Sequence, residues 1–277
     1  MELNRPERFY WGNLSWPELK DAAAREPKPV VVQPIGAMEQ HGAHLPLNTD
    51  NALVSAVCHR GGERAQGDLL VLPVIPYAFN AHHMDFPGVI AIQWQTVISW
   101  LIDVAVSVAH HGFDRMILLS GHGVNPPYLA VAANEVNVRT GALCASCFWS
   151  TLAPGIEEIL TSPQPGGTGH ACELETSAML AAYGDRVRTE LIEDDLGFEQ
   201  GTLLQMDLRS GTGVHLGEHW WSSFSPAGVA GMASLGTAEK GELLLDRAAD
   251  GLVALARELR DRPNPAETRQ DLHERGA

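Results

Sequence analysis

Short apolar runs alternate with helix-like segments along the first half of the chain, and this alternation constrains the fold more than any other feature. The helix-like segments cover residues 51–65, 94–111 and 126–139. Strands that alternate with helices pair in parallel, because the crossover helix returns the chain to the same end of the sheet. The sequence therefore predicts an α/β fold of three layers, in which a mostly parallel sheet is flanked by helices. The strand candidates are VVVQPI at 30–35, DLLVLPVI at 68–75, RMILLS at 115–120 and ALCASCFW at 142–149.

Residue types that bind metals cluster where the first apolar run ends. The stretch EQHGAHLPLNTD contains Glu39, His41 and Asp50, and ligands of parallel sheets collect at this end of the strands. In an extended chain Glu39 and His41 project to the same side, so each can hold a different ion of a pair, while Asp50 can return between them. Zn²⁺, Mn²⁺ and Fe²⁺ accept imidazole and carboxylate together. For this stretch alone, a hydrogen-bonded His–acid pair is the alternative.

Two later junctions favour the metal centre over that alternative. His122 lies in SGHGVN, directly after the RMILLS run. His170 and Glu175 lie in GHACELETS, which opens another helix after a loop rich in Pro and Gly. All three junctions connect a strand to a helix, so they predict one shared rim of histidines and carboxylates.

The charge balance narrows the possible partners. The chain has 34 acidic and 19 basic residues, a net charge of -15, which repels nucleic acids and anionic membranes. No apolar run reaches the roughly 18 residues of a membrane span, and the first residues do not resemble a signal peptide, so we predict a cytoplasmic protein.

Cys144 and Cys147 form a single CxxC inside an apolar run, and we interpret them as strand residues rather than a redox or zinc site.

These motifs together resemble the creatininase (creatinine amidohydrolase) family. The longest, PIGAMEQHGAHLPLNTD, is similar to the family's signature, and the resemblance extends over residues 12–255. Its other parts, in the family's order, are HHMDFPG at 82–88, SGHGVN at 120–125, GHACELETS at 169–177 and GVAGMASLGTAEKG at 228–241.

The resemblance implies a creatininase-like fold with two divalent metal ions, Zn, Mn or Fe. By its motifs, Glu39, Asp50 and His122 hold the first ion, and His41 with the bridging Asp50 and a further carboxylate holds the second. Creatininase itself supplies that carboxylate two residues after the histidine, where this chain has Val124. Glu175 is the replacement that the family offers. This difference argues against creatinine as the substrate and favours the formamide hydrolase and mycofactocin peptidase branches.

The resemblance also identifies His170 as the catalytic proton-transfer residue. An amide nitrogen leaves only when it is protonated, and histidine titrates near neutral pH. The predicted nucleophile is a water held by both ions. On one continuous helix, His170 and Glu175 would face directions about 140° apart, so we expect His170 to lie before the helix or in its first turn.

Three further residues are candidates for supporting or pocket positions. His44 lies within the first motif and is predicted to orient a ligand rather than bind metal. His83 belongs to the HHMDFPG motif and is predicted to support the site or line the pocket. Trp149 is a candidate pocket wall, with a core or interface position as the alternative, as for Trp220 and Trp221.

We predict one domain over residues 1–262 and a polar, Pro-broken tail over 263–277. The function predicted is hydrolysis of a C–N bond in a small cyclic or formylated amide by a protein that binds neither nucleic acid nor membrane. The alternatives are a peptidase of the mycofactocin type and a non-catalytic metal-binding protein of the same fold. The resemblance further implies a homo-oligomer, often a hexamer.

Overall fold

A computed structural model describes residues 7–209, 217, 219–264 and 266, and a four-stranded parallel sheet lies at its centre. The strand order is β2-β1-β3-β4. Val31 of β1 pairs with Met116 of β3, and Ile35 pairs with Ser120, so these central strands end level with each other. The bounds are Val30–Ile35 for β1, Leu69–Val71 for β2, Arg115–Ser120 for β3 and Leu143–Phe148 for β4.

Helices cover both faces of this sheet. Alternate strand residues point to opposite faces, so Val30 and Val32 join the core under α2, α6 and α7, whereas Val31 and Ile35 join the core under α3 and α4. The predicted three-layer α/β architecture is therefore confirmed. The helices are α1 Trp16–Ala23, α2 Thr49–Arg64, α3 Trp94–His110, α4 Pro126–Thr140, α5 Ile156–Ile159, α6 Glu173–Tyr183 and α7 Ala238–Asp261.

A second, two-stranded antiparallel sheet lies beside the start of α6. It consists of β5, Thr168–His170, and β6, Ala230–Gly231. Gly231 has φ 138°, and a Cβ there would overlap the carbonyl oxygen of Gly167. This close backbone approach requires glycine. The small sheet brings His170 alongside the ends of the central strands.

The second strand is shorter than the sequence predicts. We expected residues 68–75, but the ladder ends at Val71. Pro73 has no N–H to donate, so pairing is interrupted before Ile75, whose N–H donates to the carbonyl of Pro34. The other predicted strands and helices agree within a few residues with those observed.

Helix α1 precedes the first strand of the central sheet. Periodicity does not predict α1, which begins with a capping box in which Ser15 and Glu18 satisfy each other's backbone N–H groups. The predicted tail at 263–277 lies outside the described residues except for 263, 264 and 266. None of the helices described has both the length and the apolar character needed to cross a bilayer.

Candidate metal centre

The predicted ligands meet at the carboxyl ends of β1 and β3. Glu39 follows β1, and His122 follows β3 within a loop that Ser120 holds by accepting the N–H of His122 and donating to its carbonyl. Asp50 enters from the first turn of α2. His122 Nδ1 lies 3.1 Å from Glu39 Oε1 and 3.3 Å from Asp50 Oδ2. These three side chains have the spacing of a metal-ligand group.

A second group forms on the other side of Asp50. His41 Nε2 lies 3.2 Å from Asp50 Oδ1 and 3.8 Å from Glu175 Oε1. The other nitrogen of His41, Nδ1, is 3.3 Å from the carbonyl oxygen of Glu39, to which it can donate, so Nε2 is the nitrogen that can bind an ion once its proton is displaced. His41, His170 and Glu175 have metal-ligand spacing. Asp50 thus directs one oxygen to each group.

Glu175 and His170 reach the centre through a sharp reversal of the chain. His170 ends β5, and Glu175 lies in the first turn of α6, so His170 lies before the helix, where we expected it. Ala171 between them has φ 49°, in the left-handed region that disfavours residues with a side chain. Its N–H donates to Glu175 Oε2 at 2.6 Å, which leaves Glu175 Oε1 directed at His41.

The buried polar atoms of the cluster fit bound cations. Glu39, Asp50 and Glu175 are 0%, 1% and 3% exposed. Within the described residues, both oxygens of Glu39, Oδ2 of Asp50, Nε2 of His41 and Nε2 of His122 have no hydrogen-bond partner. Buried carboxylates without compensation are costly. Divalent cations would supply that compensation, and the mixed imidazole and carboxylate donors suit Zn²⁺, Mn²⁺ and Fe²⁺.

The electrostatics of the cluster follow from burial and close carboxylates. Burial favours neutral His41, but Asp50 and Glu175 outweigh burial and raise its pKa well above the ordinary value. The pKa of His122 is raised in the same way, because Glu39 and Asp50 outweigh its burial. For Asp50, burial acts against ionisation, but the two imidazoles outweigh it, so its pKa is lowered.

His170 has a different electrostatic environment from the other two histidines. Burial, followed by the neighbouring His41, lowers its pKa to about 3. Its Nε2 donates to the carbonyl oxygen of Gln40 at 2.7 Å, while Nδ1 lies 3.9 Å from Glu39 Oε1. A neutral imidazole with an unprotonated Nδ1 toward the cluster can accept a proton or bind an ion.

Of the two supporting histidines, His83 lines the cavity and His44 does not. His83 stacks on Trp221, with ring centroids 4.4 Å apart, and its Nε2 is 3.7 Å from Glu39 Oε1. Its pKa is lowered by burial and by neighbouring imidazoles. His44 Nε2 lies 2.8 Å from Oγ1 of Thr176, which follows Glu175 in α6. His44 therefore stabilises the first turns of α6, the helix that contains the candidate ligand Glu175.

The pocket position considered for Trp149 is wrong. Its side chain is fully buried in the core beneath α2, α6 and α7. Trp221 lines the cavity instead, packed against His83 and His170. Trp149 follows a sheet strand directly, so its ring is enclosed by the core, whereas Trp221 begins a short 3₁₀ helix far along the chain. Sequence spacing carries no signal for that choice.

The cavity over the cluster has a volume of about 190 Å³. His82 also lines the cavity. The spacing of residues in the sequence does not predict this position, and only the place of His82 beside His83 in the HHMDFPG motif points to it. Val124 lines the cavity as well. Neither lysine nor arginine is among the described lining residues, which also include Gly123, Pro127, Tyr128, Gly169, Met206, Asp207 and Leu208.

Comparison with known proteins agrees with this geometry. The model of the family described as creatinine amidohydrolase matches residues 12–256. The creatinine amidohydrolase of Pseudomonas putida is 27% identical, over 89% of this chain and 95% of the relative. The mycofactocin precursor peptide peptidase of Mycobacterium ulcerans is 28% identical, over 82% and 84% respectively. A crystal structure of creatinine amidohydrolase superimposes with a TM-score of 0.77 at 25% identity, covering 91% of this chain and 98% of that one.

The family match extends over most of the chain and includes every residue of the cluster. The fold of the solved creatininase also covers nearly the whole described chain. The chain is therefore a member of the creatinine amidohydrolase (creatininase) family of metal-dependent hydrolases.

Proposed function

We propose that this hydrolase uses two divalent cations, Zn²⁺, Mn²⁺ or Fe²⁺, to cleave the C–N amide bond of a small cyclic or formylated amide. The observation that carries the proposal is the orientation of Asp50, whose oxygens lie 3.2 Å from His41 and 3.3 Å from His122. A carboxylate with one oxygen toward each ligand group is the bridge that a two-ion centre requires. When bound, such a pair of ions polarises an amide carbonyl and lowers the pKa of water.

His170 is the residue to which we assign proton transfer. Its Nε2–H is engaged by the Gln40 carbonyl, so Nδ1 is the nitrogen that can take a proton. Its lowered pKa keeps the ring neutral before the reaction. We propose that His170 accepts the proton of the attacking water and delivers it to the departing nitrogen.

The cavity supports a small, uncharged substrate. Its volume of about 190 Å³ is below the range of typical drug-sized ligand sites. Since neither lysine nor arginine is among its described lining residues, a substrate carboxylate would have neither an ammonium nor a guanidinium group to pair with there. Trp221 and Tyr128 offer flat apolar surfaces instead. Val124, at the position where creatininase has a carboxylate, argues against creatinine itself.

A peptide substrate is the second candidate. Relatives named mycofactocin precursor peptide peptidase support it, including the one at 28% identity over 82% of this chain. A peptide end would have to enter the same cavity, because the metal ligands lie at its base. The two candidates therefore differ in what extends out of the cavity rather than in the bond that is cleaved.

We also propose a cytoplasmic homo-oligomer, by analogy with the family, in which hexamers occur. The strongly acidic composition supports an enzyme that does not bind nucleic acid or anionic membranes. Mass measurement of the native protein would test the oligomer.

A substrate panel tests the proposed function. Metal-loaded protein would be incubated with creatinine, N-substituted formamides, lactams and short peptides, and the amine or acid released would be measured. Asp50→Ala protein prepared in parallel would reveal contaminating activity. We expect turnover of a formamide or lactam. Cleavage of peptides alone would establish the second candidate, and no turnover by fully loaded protein on a broad panel would leave the non-catalytic alternative.

A further inference from the structure

Gln40 lies between two histidines that face the cavity, and it bonds to both of them. Its side-chain Nε2 is 2.9 Å from His83 Nδ1, and its backbone carbonyl accepts from His170 Nε2 at 2.7 Å. Its side-chain Oε1 accepts the N–H of Gly42 at 2.9 Å. Gln40 is only 5% exposed, so these bonds do not compete with bulk water.

The orientation of the Gln40 carboxamide is fixed by its neighbours. A backbone N–H can only donate, so the atom facing Gly42 must be the oxygen, and the NH₂ group must face His83. Gly228, at φ 76°, packs against the same amide, and a Cβ there would overlap Gln40 Oε1. The alternative amide orientation would place NH₂ against the N–H of Gly42.

Opposite tautomers follow for the two histidines. A neutral imidazole has one N–H and one lone pair. The NH₂ of Gln40 uses the lone pair of His83 Nδ1, so the proton of His83 is on Nε2, which points toward Glu39. The carbonyl of Gln40 uses the N–H of His170 Nε2, so the lone pair of His170 is on Nδ1. Through these two bonds, Gln40 leaves His83 with a donor and His170 with an acceptor toward the same cavity.

We propose that Gln40 is a positioning residue that makes His83 a hydrogen-bond donor to the substrate and prevents it from binding a metal ion. Glu39, His83 and His170 also have metal-ligand spacing, which would offer an additional ion position. A protonated Nε2 cannot coordinate a cation, so the tautomer set by Gln40 removes that position. Histidine ligands normally donate their second N–H to a carbonyl or carboxylate. His170 also donates one ring N–H to a carbonyl, whereas His83 accepts at the corresponding bond.

This inference rests on the proposed function for its catalytic part, but the tautomer itself can be measured without a substrate. Zinc-loaded protein labelled with ¹⁵N-histidine would be studied by long-range ¹H–¹⁵N correlation, which distinguishes protonated, bare and metal-bound ring nitrogens. The signal that disappears in His83→Gln identifies His83. We expect a protonated Nε2 and a bare Nδ1. A protonated Nδ1, or a zinc-bound Nε2, overturns the proposal even before any variant of Gln40 is made.

Two substitutions at Gln40 then separate tautomer control from loop support. Gln40→Glu keeps an oxygen for Gly42, but its second oxygen can only accept, so His83 must move its proton to Nδ1 and expose a bare Nε2. Gln40→Met removes both side-chain bonds, the one to His83 and the one to Gly42. We expect the ring signals of His83 to reverse in Gln40→Glu, with metal bound at His83 when ions are in excess. Unchanged signals in Gln40→Glu would overturn the inference.

Turnover on a substrate found by the panel provides the functional test. Losing a hydrogen bond to the substrate in the transition state should lower kcat by roughly 10- to 100-fold in Gln40→Glu. His83→Gln supplies an amide N–H near the position of Nε2 that does not depend on Gln40. In that background, Gln40→Glu should cost less than threefold. An equal loss in both backgrounds would mean that the added charge, rather than the tautomer, lowers the rate, and would contradict the proposal.

Discussion

At the scale of single residues, we expect Asp50 and His170 to have separable roles. Asp50→Ala removes the side chain that faces both ligand groups, so we expect metal and activity to be lost together. His170→Ala should retain both ions and lower turnover by roughly 10²- to 10⁴-fold, the usual contribution of general acid–base catalysis. Metal content by elemental analysis and kcat on the panel substrate test both variants.

A matched control for Asp50 is available in the same helix. Ser55 donates to the carbonyl of Asn51, one turn earlier in α2, and does not line the cavity. Ser55→Ala should therefore keep both ions and full turnover. If His170→Ala loses one ion, then His170 is a ligand of the group that it forms with His41 and Glu175, and its assignment to proton transfer is wrong.

The second residue-scale prediction concerns Val124 and Glu175. Glu175→Gln should weaken one ion selectively, because an amide oxygen lacks the charge that offsets the lost hydration of a divalent cation. Adding Val124→Glu would offer a carboxylate from the neighbouring loop, which also lines the cavity. We expect this double variant to recover part of the lost metal.

Metal titrations of the wild type and of both variants decide this prediction. Two ions held as tightly in Glu175→Gln as in the wild type would exclude Glu175 as a ligand. Recovery in the double variant requires the new carboxylate to come within about 2.0 to 2.2 Å of the ion. Val124→Gln in the Glu175→Gln background controls for the size of the new side chain.

Sequence patterns predicted the polar ligand cluster better than the aromatic pocket. Glu39, His41 and Asp50 lie in one motif, and the parallel sheet brings His122 beside them because β1 and β3 are neighbours. No motif or strand order predicts which residues line the cavity. Trp149 and Trp221 are the same residue type in different surroundings, and only long-range packing decides which one meets the cavity.

At the scale of elements, the contact between α6 and α7 is close because Gly241 has no side chain. A Cβ at Gly241 would overlap the carbonyl oxygen of Ser177 in α6. Ala is normally favoured over Gly in a helix by about 1 kcal/mol, but here the helices would have to separate. We expect Gly241→Ala to lower the free energy of unfolding by about 1 to 3 kcal/mol and to weaken the ion near Glu175, which α6 carries.

Gly251→Ala is the matched control, since a Cβ at Gly251 would overlap the carbonyl oxygen of Leu152 instead of touching α6. It should lower stability to a similar extent and leave metal binding unchanged. Denaturant titrations of the metal-free proteins and metal titrations of the folded proteins give the two quantities. A gain in stability in Gly241→Ala would contradict the close helix contact.

Element prediction from the sequence succeeded where periodicity was strong. β1 and β3 begin and end at the predicted residues, because each is a short apolar run bounded by polar or turn residues. The strands β5 and β6 were not predicted from the sequence. They are only a few residues long and rich in glycine, so they have no alternating pattern, and their pairing joins segments about sixty residues apart.

At the scale of the whole molecule, metal binding should be linked to proton release. In the metal-free protein the pKa values of His41 and His122 are raised, because nearby carboxylates outweigh burial. Both imidazoles therefore carry protons at neutral pH, and a cation must displace them. Since a raised pKa favours the protonated form, metal affinity should fall as pH is lowered and rise as pH increases.

Calorimetric titration of chelator-treated protein with Zn²⁺ checks this linkage. At pH 7 the observed enthalpy should depend on the ionisation enthalpy of the buffer, which reports the protons released. Glu39→Gln removes a carboxylate that raises the pKa of His122, so fewer protons should be released in that variant. An observed enthalpy that is the same in all buffers would contradict the linkage.

The long helix α7 has a consequence for how the protein acquires its metal in the cell. It buries one face against both α2 and α6, the helices whose first turns carry Asp50 and Glu175. A ribosome makes all the candidate ligands well before residues 238–261, at about 5 to 20 residues per second. Until that helix emerges, the faces of α2 and α6 that pack against it are uncovered, so we expect both helices to hold their carboxylates less firmly. We therefore expect metal insertion to follow the synthesis of α7.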